Sequence, residues 1–389
     1  MPRFWLIPLV VASALFMENM DATVIATSLP AIAADLGEDP VVLKLAFTAY
    51  LLSLAVFIPI SGWFADRYGA RRVFTTAIAV FTVASVWCGS AGSLAELVAA
   101  RALQGAGGAM MVPVARLIIL RTTPKYQLVA AMAYLTIPAL VGPLVGPPLG
   151  GFITTYFHWR WIFWINVPVG IVGIVLAYLF VPDTKVERSP RLDVTGFVLS
   201  GLALVTLMSG LTSAGGTVFP IWLAPVLIAA GAVLALGYWR HQRRTADPIL
   251  NFDLLRIATF RTSVVGGAPF RVAAGAVPFL LPMMLQVGFG LDPFSSGTLT
   301  FVAAGGALVM KFTAQPILRR FGFRSVLTVN ALIGAGFLMS IALFTAGTPW
   351  WLIVSVLLVG GFFRSLQFTS LNTIAYADVA HETMSQATS

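Results

Sequence analysis

Gly62-Trp63-Phe64-Ala65-Asp66-Arg67-Tyr68-Gly69-Ala70-Arg71-Arg72-Val73-Phe74 is a short, charged, glycine-punctuated turn between two long apolar runs. The residues before Gly62 and after Phe74 are apolar enough to span a bilayer, so the turn belongs at a membrane surface. Composition agrees. Hydrophobic residues make up 58% of the 389-residue chain, charged residues 10%, and mean hydropathy is +0.90. A soluble domain carries about 25% charge, so water is not the solvent for most of this surface.

Working outward, helices of roughly 20 apolar residues fit twelve times. The spans predicted are Trp5–Ala33, Leu43–Ala65, Val73–Gly89, Leu94–Leu120, Gln127–Tyr156 and Trp161–Val181, then Val194–Ser213, Pro220–Trp239, Thr262–Val287, Phe294–Leu318, Val326–Phe344 and Trp350–Ala375. The fold class expected is an all-α polytopic membrane bundle of 6 + 2 + 4 helices. Residues 1–181 form a six-helix N-terminal bundle. Residues 182–261 hold a linker, two extra helices and an interfacial segment. Residues 262–389 form a four-helix second bundle. A polar linker, Pro182–Asp193, separates the first six spans from the rest. In the segment Arg240–Arg261, the residues Ile249, Phe252, Leu254, Leu255 and Ile257 point to a helix lying in the interface.

The net charge of +9 reports topology rather than nucleic acid. With the N-terminus inside, the cytoplasmic loops collect Arg67, Arg71, Arg72, Arg121, Lys125, Lys185, Arg188, Arg191, Arg240, Arg243, Arg244, Arg256, Arg261, Arg319, Arg320 and Arg324. The outer loops hold Lys44 and Arg160. That bias is the positive-inside rule. It implies a multi-pass membrane protein with both ends of this chain cytoplasmic; the membrane expected is a bacterial inner membrane. One cysteine, Cys88, and three histidines offer neither a disulfide framework nor a Cys/His metal cage. No cleavable signal is evident, because the first apolar run is long and contains Glu18 and Asp21. The tryptophans Trp159, Trp161, Trp164, Trp350 and Trp351 fall at outer span ends, as an aromatic belt requires.

The opening turn has an echo. Leu318-Arg319-Arg320-Phe321-Gly322-Phe323-Arg324-Ser325-Val326-Leu327 aligns with Ala65–Phe74, and a charged turn repeated in corresponding positions of two halves marks secondary transporters. The first copy follows span two and the second follows span ten, so two spans, most simply seven and eight, are inserted between the halves.

These features resemble the major facilitator superfamily. Gly62–Phe74 is similar to its cytoplasmic signature loop, and Arg101-Ala102-Leu103-Gln104-Gly105-Ala106-Gly107-Gly108 to its span-four motif. Gly142-Pro143-Leu144-Val145-Gly146-Pro147-Pro148-Leu149-Gly150-Gly151 resembles its antiporter motif. Met20–Pro30 and Trp159–Gly170 resemble motifs of the 14-span drug:proton antiporter branch. The resemblance covers essentially the whole chain. It implies exchange of substrate for protons, and it links Asp21 and Arg101 to proton coupling. A 14-span member has two further helices, so the expectation for this polypeptide is a truncated or split copy. In the family, the signature loop is thought to brace against a late helix of the second half.

Ionisable groups inside spans cost about 2.5–3.5 kcal/mol each at the centre and so call for a role. Glu18 and Asp21 lie one turn apart on one face of the first span, and a carboxyl in low dielectric resists ionisation, as a proton-coupled exchanger needs. Arg101 is the natural cationic neighbour, with Gln104 one turn on to orient it. Arg271 and Arg364 are expected to face a central cavity, and Lys311 to snorkel toward the cytoplasmic end. This charge set does not make a plainly acidic cavity, so neutral, zwitterionic and anionic substrates stand beside cationic drugs. Gly142, Gly146, Gly150 and Gly151 recur at helical spacing as a close-packing stripe, kinked by Pro143, Pro147 and Pro148, which suits a leak-tight gate helix. Gly62, Asp66, Arg67, Gly69, Arg71 and Arg72 form a candidate conformational latch. Asp66 is its least routine member, because an acid at a helix C-terminus opposes the dipole and calls for a partner; Arg319 takes its place in the echo.

The expected function is proton-coupled export of small amphipathic compounds by alternating access, a multidrug efflux and drug-resistance activity. The proton gradient supplies the energy, and no cofactor or metal is needed. The chain is not expected to be an enzyme. Its partners are a small-molecule substrate and the lipid bilayer, with no nucleic acid, and a monomer is the simplest oligomeric state. The rival readings are proton-coupled uptake of a specific metabolite and a truncated membrane component that does not transport.

Overall fold

The computed structural model describes residues 6–124, 127–183, 192–215, 220–245 and 248–379, excepting the side chains of 128–130, 132–133 and 136–140. Among these residues the chain is helical and has no strand. The linker cations Lys185, Arg188 and Arg191, together with Lys125 and Trp5, lie outside the described residues.

Ten helical units are long and apolar enough to cross a membrane: α1 Leu6–Thr27, α2 Lys44–Tyr68, α3 Ala70–Ser90, α4 Leu94–Thr122, α6 Trp161–Phe180, α7 Val194–Ala214, α8 Leu223–Gln242, α9 Ala258–Gly288, Pro293–Ile341, and α12 Trp350–Ala375. Between α4 and α6 runs α5, Leu128–Tyr156. The unit Pro293–Ile341 has 49 residues; straight, it would extend about 73 Å, more than twice the hydrocarbon thickness of about 30 Å. It is not straight. Gly322 takes φ 72 and ψ 157, a region essentially reserved for glycine, and Val326 packs back against Met310 and Ala314. Pro293–Ile341 is therefore two antiparallel helices, α10 (293–321) and α11 (323–341).

Local chemistry explains several boundaries. Ser93 caps α4 by accepting from the Glu96 N–H, while the Glu96 carboxylate accepts from the Gly92 N–H, close to a capping box. Asp193 caps α7 through the Gly196 N–H. Asp292 caps α10 through the Ser295 N–H with Pro293 at the first helical position, and the bonds from Ser295 hold the Asp292 carboxyl below the usual carboxylate range.

Two expected boundaries move. The first span does not run to Ala33: α1 tightens at Ile25–Thr27, and a separate short helix, Leu29–Leu36, follows Ser28, because Pro30 cannot donate to the preceding turn. The expected interfacial helix within Arg240–Arg261 is a single short turn, Phe252–Arg256. The Tyr238 hydroxyl and the Leu250 N–H lie 2.7 Å apart, the Tyr238 ring meets Phe252 edge-on, and Leu254 is buried beside Val379, so this segment folds onto the protein.

Packing sorts the helices. α1, α3, α4 and α6 share one core around Met17, Phe74, Phe81 and Met111, with α2 against α4. In the second half, α9, α10 and α12 share Leu281, Leu285, Leu299 and Leu357. α7 and α8 pair with each other, Gly210 against Ile228 and Gly231 against Leu207, and α7 leans on α2 through Phe197 and Phe57. α5 reaches both halves, lying along α1 and along α10.

Candidate functional site

The glycine stripe of α5 makes that bridge. A Cβ on Gly142 would lie 2.9 Å from the Phe16 carbonyl oxygen, and one on Gly146 or Gly150 would run into Thr23 or the Val24 carbonyl of α1. On the opposite side, a Cβ on Gly151 would strike the Pro293 carbonyl, and one on Gly297 the Pro147 carbonyl, so α5 and α10 meet backbone to backbone. Further ties gather at this end of the bundle, away from the two charged turns. The Phe294 N–H donates to Thr155 Oγ1 at 3.1 Å, and Gln286 Nε2 donates to the Thr27 carbonyl at 2.8 Å. The Phe294 ring meets Phe152 and Tyr156.

Nearer the charged turns the halves part around a cavity of about 620 Å³. Asn19, Pro143 and Leu144 line it from the first half, and Leu308, Lys311, Arg364, Phe368 and Asn372 are among its residues from the second. Arg364 faces it as expected. Lys311 also lines it and donates to Thr369 Oγ1 at 3.3 Å, so its ammonium turns to the cavity where snorkelling toward the cytoplasmic end of the helix was expected. Arg271 stands one residue behind the wall, with Nη1 donating to the Ser263 carbonyl at 2.5 Å and Nη2 to Asn372 Oδ1 at 3.5 Å. Two other hollows, of about 480 and 430 Å³, are largely apolar and each lies within one half.

Asp21, Arg101 and Gln104 come together, but inside the first half rather than on the cavity. Arg101 is fully buried; its Nη1 donates to Asp21 Oδ2 at 2.5 Å and to Gln104 Oε1 at 2.6 Å. Asp21 Oδ1 accepts from Gln104 Nε2 at 2.9 Å and from Asn166 Nδ2 at 2.7 Å. Gln104 also donates to Ser85 Oγ at 2.8 Å. The guanidinium lies 4.1 Å from the Tyr50 ring centroid, a cation–π contact strengthened by desolvation. Helices α1, α4 and α6 thus each place a polar group on one ion pair, α3 supports it through Ser85 bonded to Gln104 and Asn166, and the Tyr50 ring of α2 lies over it. Glu18 stands apart from this cluster: it is buried, and its Oε2 has no hydrogen-bond partner among the described residues. The Tyr50 hydroxyl is similarly unpartnered. A Cβ on Gly108 would lie 3.4 Å from that hydroxyl and 3.6 Å from Glu18 Cγ, so both groups border the same glycine.

The turn after α2 is anchored within the first half. Asp66 pairs with Arg121 at the end of α4, Arg72 Nε lies 3.4 Å from Asp183, and Arg71 lies over the Tyr178 ring. Gly69 takes φ 97 and ψ 134, and a side chain there would collide with Asp183. Gly62 has open space around it and Arg67 is exposed. Among the described residues these contacts tie the turn to α4 and to the end of α6.

The sequence of the chain matches the profile described as Major Facilitator Superfamily over residues 11–389. The chain belongs to the major facilitator superfamily. Among proteins similar to this superfamily member is one of Escherichia coli O6:H1 named "Putative multidrug resistance protein MdtD", 38% identical over 95% of this chain and 78% of that protein. A protein of the same name from Serratia proteamaculans is 37% identical over 95% of this chain and 77% of its own length. Solved structures share the fold. The POT family transporter PepTSo superposes with a TM-score of 0.70 at 16% identity, covering 100% of this chain and 86% of its own. The xylose transporter XylE of E. coli, described as partially occluded and inward open, gives 0.62 at 14% identity, covering 99% of this chain and 87% of its own.

Several residues of this superfamily member were not singled out by the sequence. Asn166, which lies in the Trp159–Gly170 motif but was given no role, and Ser85 complete the Asp21 cluster; like Asn19 and Asn372 on the cavity side, each carries a weak signal, a polar residue inside an apolar run. Trp159 was assigned to the aromatic belt but is buried; its Nε1 donates to Asp35 at 3.1 Å and Arg160 lies over its ring. Trp161, Trp350 and Trp351 are exposed, as a belt requires. The hydrogen bond from Arg160 holds the Asp35 carboxyl below its ordinary range.

Proposed function

We propose that the protein exports small amphipathic compounds in exchange for protons, the two halves rocking about the cavity between α1, α5, α10 and α12. The observation that carries the coupling is Glu18: a buried carboxyl with one oxygen unpartnered, next in sequence to Asn19 on the cavity wall. An ionised carboxylate in so dry a place requires a partner, so Glu18 is the group assigned to take up and release the proton as the cavity opens and closes. Asp21, which accepts three hydrogen bonds, is assigned to hold the first-half helices in register, with Arg101 and Gln104. Export, rather than uptake, is supported by the α5 stripe and by the names of the relatives. The basic turns set the orientation, with the cavity on the cytoplasmic side and the contacts of Gly151 and Gly297 sealing the outer side. The turn with Asp66, Arg121, Gly69 and Asp183 is assigned to holding α2, α3 and α4 together as the first half moves.

In everted vesicles, adding transported compounds should release protons from the lumen of wild-type vesicles, read by a pH-sensitive dye. Glu18→Gln should bind the same compounds and lose that proton movement. Wild-type proton release by a well-folded Glu18→Gln protein would overturn the assignment.

A further inference from the structure

Among the described residues, the cavity lining carries two cations, Lys311 and Arg364, and no acid, and Arg271 stands immediately behind Asn372. Between Thr262 and Ala375 the chain contains one acidic residue, Asp292, against six basic ones. Asp292 caps the start of α10, roughly 28 Å along the helix from Lys311. In the first half, the guanidinium of Arg101 holds Asp21 in a separate buried cluster. Arg364 has neither an acidic partner nor a hydrogen-bond acceptor among the described residues, although the glycine-rich junction of α10, α11 and α12 packs around it. A guanidinium does not discharge by losing its proton, so Arg364 keeps its charge at the edge of a low-dielectric space where an unmatched charge is costly.

Resting on the reading of this cavity as the substrate site, we infer that the substrate is an organic anion: an amphipathic molecule with one or two carboxylate-like groups and an apolar body. Its anionic group would engage the planar donor fork of Arg364, suited to a bidentate carboxylate, with Lys311 contributing a point charge and Asn372 a neutral contact. Pro143, Leu144, Leu308 and Phe368 offer the apolar remainder of the wall. A lipophilic cation would meet two like charges with no carboxylate among the described lining residues, Glu18 lying behind Asn19 rather than on the wall.

Two dyes of one ring system and opposite charge test this. Fluorescein, the anion, and rhodamine 123, the cation, are titrated against purified protein in neutral detergent, with binding read by fluorescence anisotropy. Fluorescein should bind about tenfold or more tightly than rhodamine 123, the scale of a charge-assisted hydrogen bond, and its affinity should fall with added salt. Arg364→Gln and Lys311→Gln should each weaken fluorescein about tenfold, Arg364→Lys should recover only part of the loss because it keeps the charge without the fork, and Arg324→Gln should leave it unchanged. Tighter binding of rhodamine 123, or fluorescein affinity indifferent to Arg364→Gln in a monodisperse protein, would overturn the inference and leave the cavity as the site of another substrate. Binding of neither dye would remove the cavity itself as the substrate site.

Discussion

Gly69 and Gly322 hold nearly the same backbone shape, φ 97 with ψ 134 in one and φ 72 with ψ 157 in the other. Their surroundings have almost nothing in common. Around Gly69 the turn is tied down: Asp66 to Arg121, Arg72 to Asp183, and no room for a side chain. Around Gly322 there is open space, and Arg319, Arg320 and Arg324 have no ion pair among the described residues. The same contrast runs through the two halves. The first matches its buried charge, Arg101 with Asp21, whereas the second leaves Arg364 and Lys311 facing a cavity. Among the described residues, a repeated backbone device is braced in one half and stands in open space in the other, while the buried charge of the first half is matched and two cations of the second face the cavity.

The sharpest way to break this contrast is to delete one arginine from each half. Arg101→Leu strands Asp21 in a buried site and should cost about 3–5 kcal/mol of stability, seen as a large drop in thermal midpoint in detergent. Arg364→Leu removes a charge with no partner to strand and should leave that midpoint unchanged or raised. Equal losses would mean that Arg364 has a structural counter-charge.

The glycines come next. Alanine at either should cost about 1–3 kcal/mol for a backbone conformation that side chains avoid. Gly69→Ala should cost more, because Asp183 must also move and its contact with Arg72 goes with it. If Gly322→Ala proves the more damaging of the two in the same thermal assay, the second turn is braced after all.

The smallest effect belongs to the acid that only one turn has. Asp66→Ala breaks a partly exposed ion pair and should lower stability by at most about 1 kcal/mol, yet slow transport in vesicles at equal expression. Arg319→Asp, which writes the same acid into the echo, should do neither. Unaltered transport by Asp66→Ala would reduce its turn to a topological anchor.

Much of this was legible beforehand because a bilayer leaves the backbone few options. Only a helix satisfies every amide within its own segment, so long apolar runs broken by charged turns gave the twelve spans. Repeated Arg/Gly spacing, Arg67 and Gly69 against Arg320 and Gly322, suggested two halves with a pair of helices between them. Charge put Asp21 near Arg101 in expectation, because buried opposite charges seek each other. What the sequence could not give was which side of a helix faces a cavity and which a neighbour. Glu18 and Asp21 share a face of α1 by spacing, yet one is left with an unpartnered oxygen and the other is enclosed by Gln104 and Asn166. Lys311 reads as a surface residue until α12 sets Thr369 beside it, and Trp159 reads as a belt residue until Asp35 and Arg160 enclose it. These decisions rest on contacts between residues up to a hundred or more positions apart, through orientations of whole helices that no local pattern encodes. Span number, repeat and charge bias were therefore written in the chain, whereas the division between charges matched inside a half and charges left facing the cavity was decided by how the helices pack.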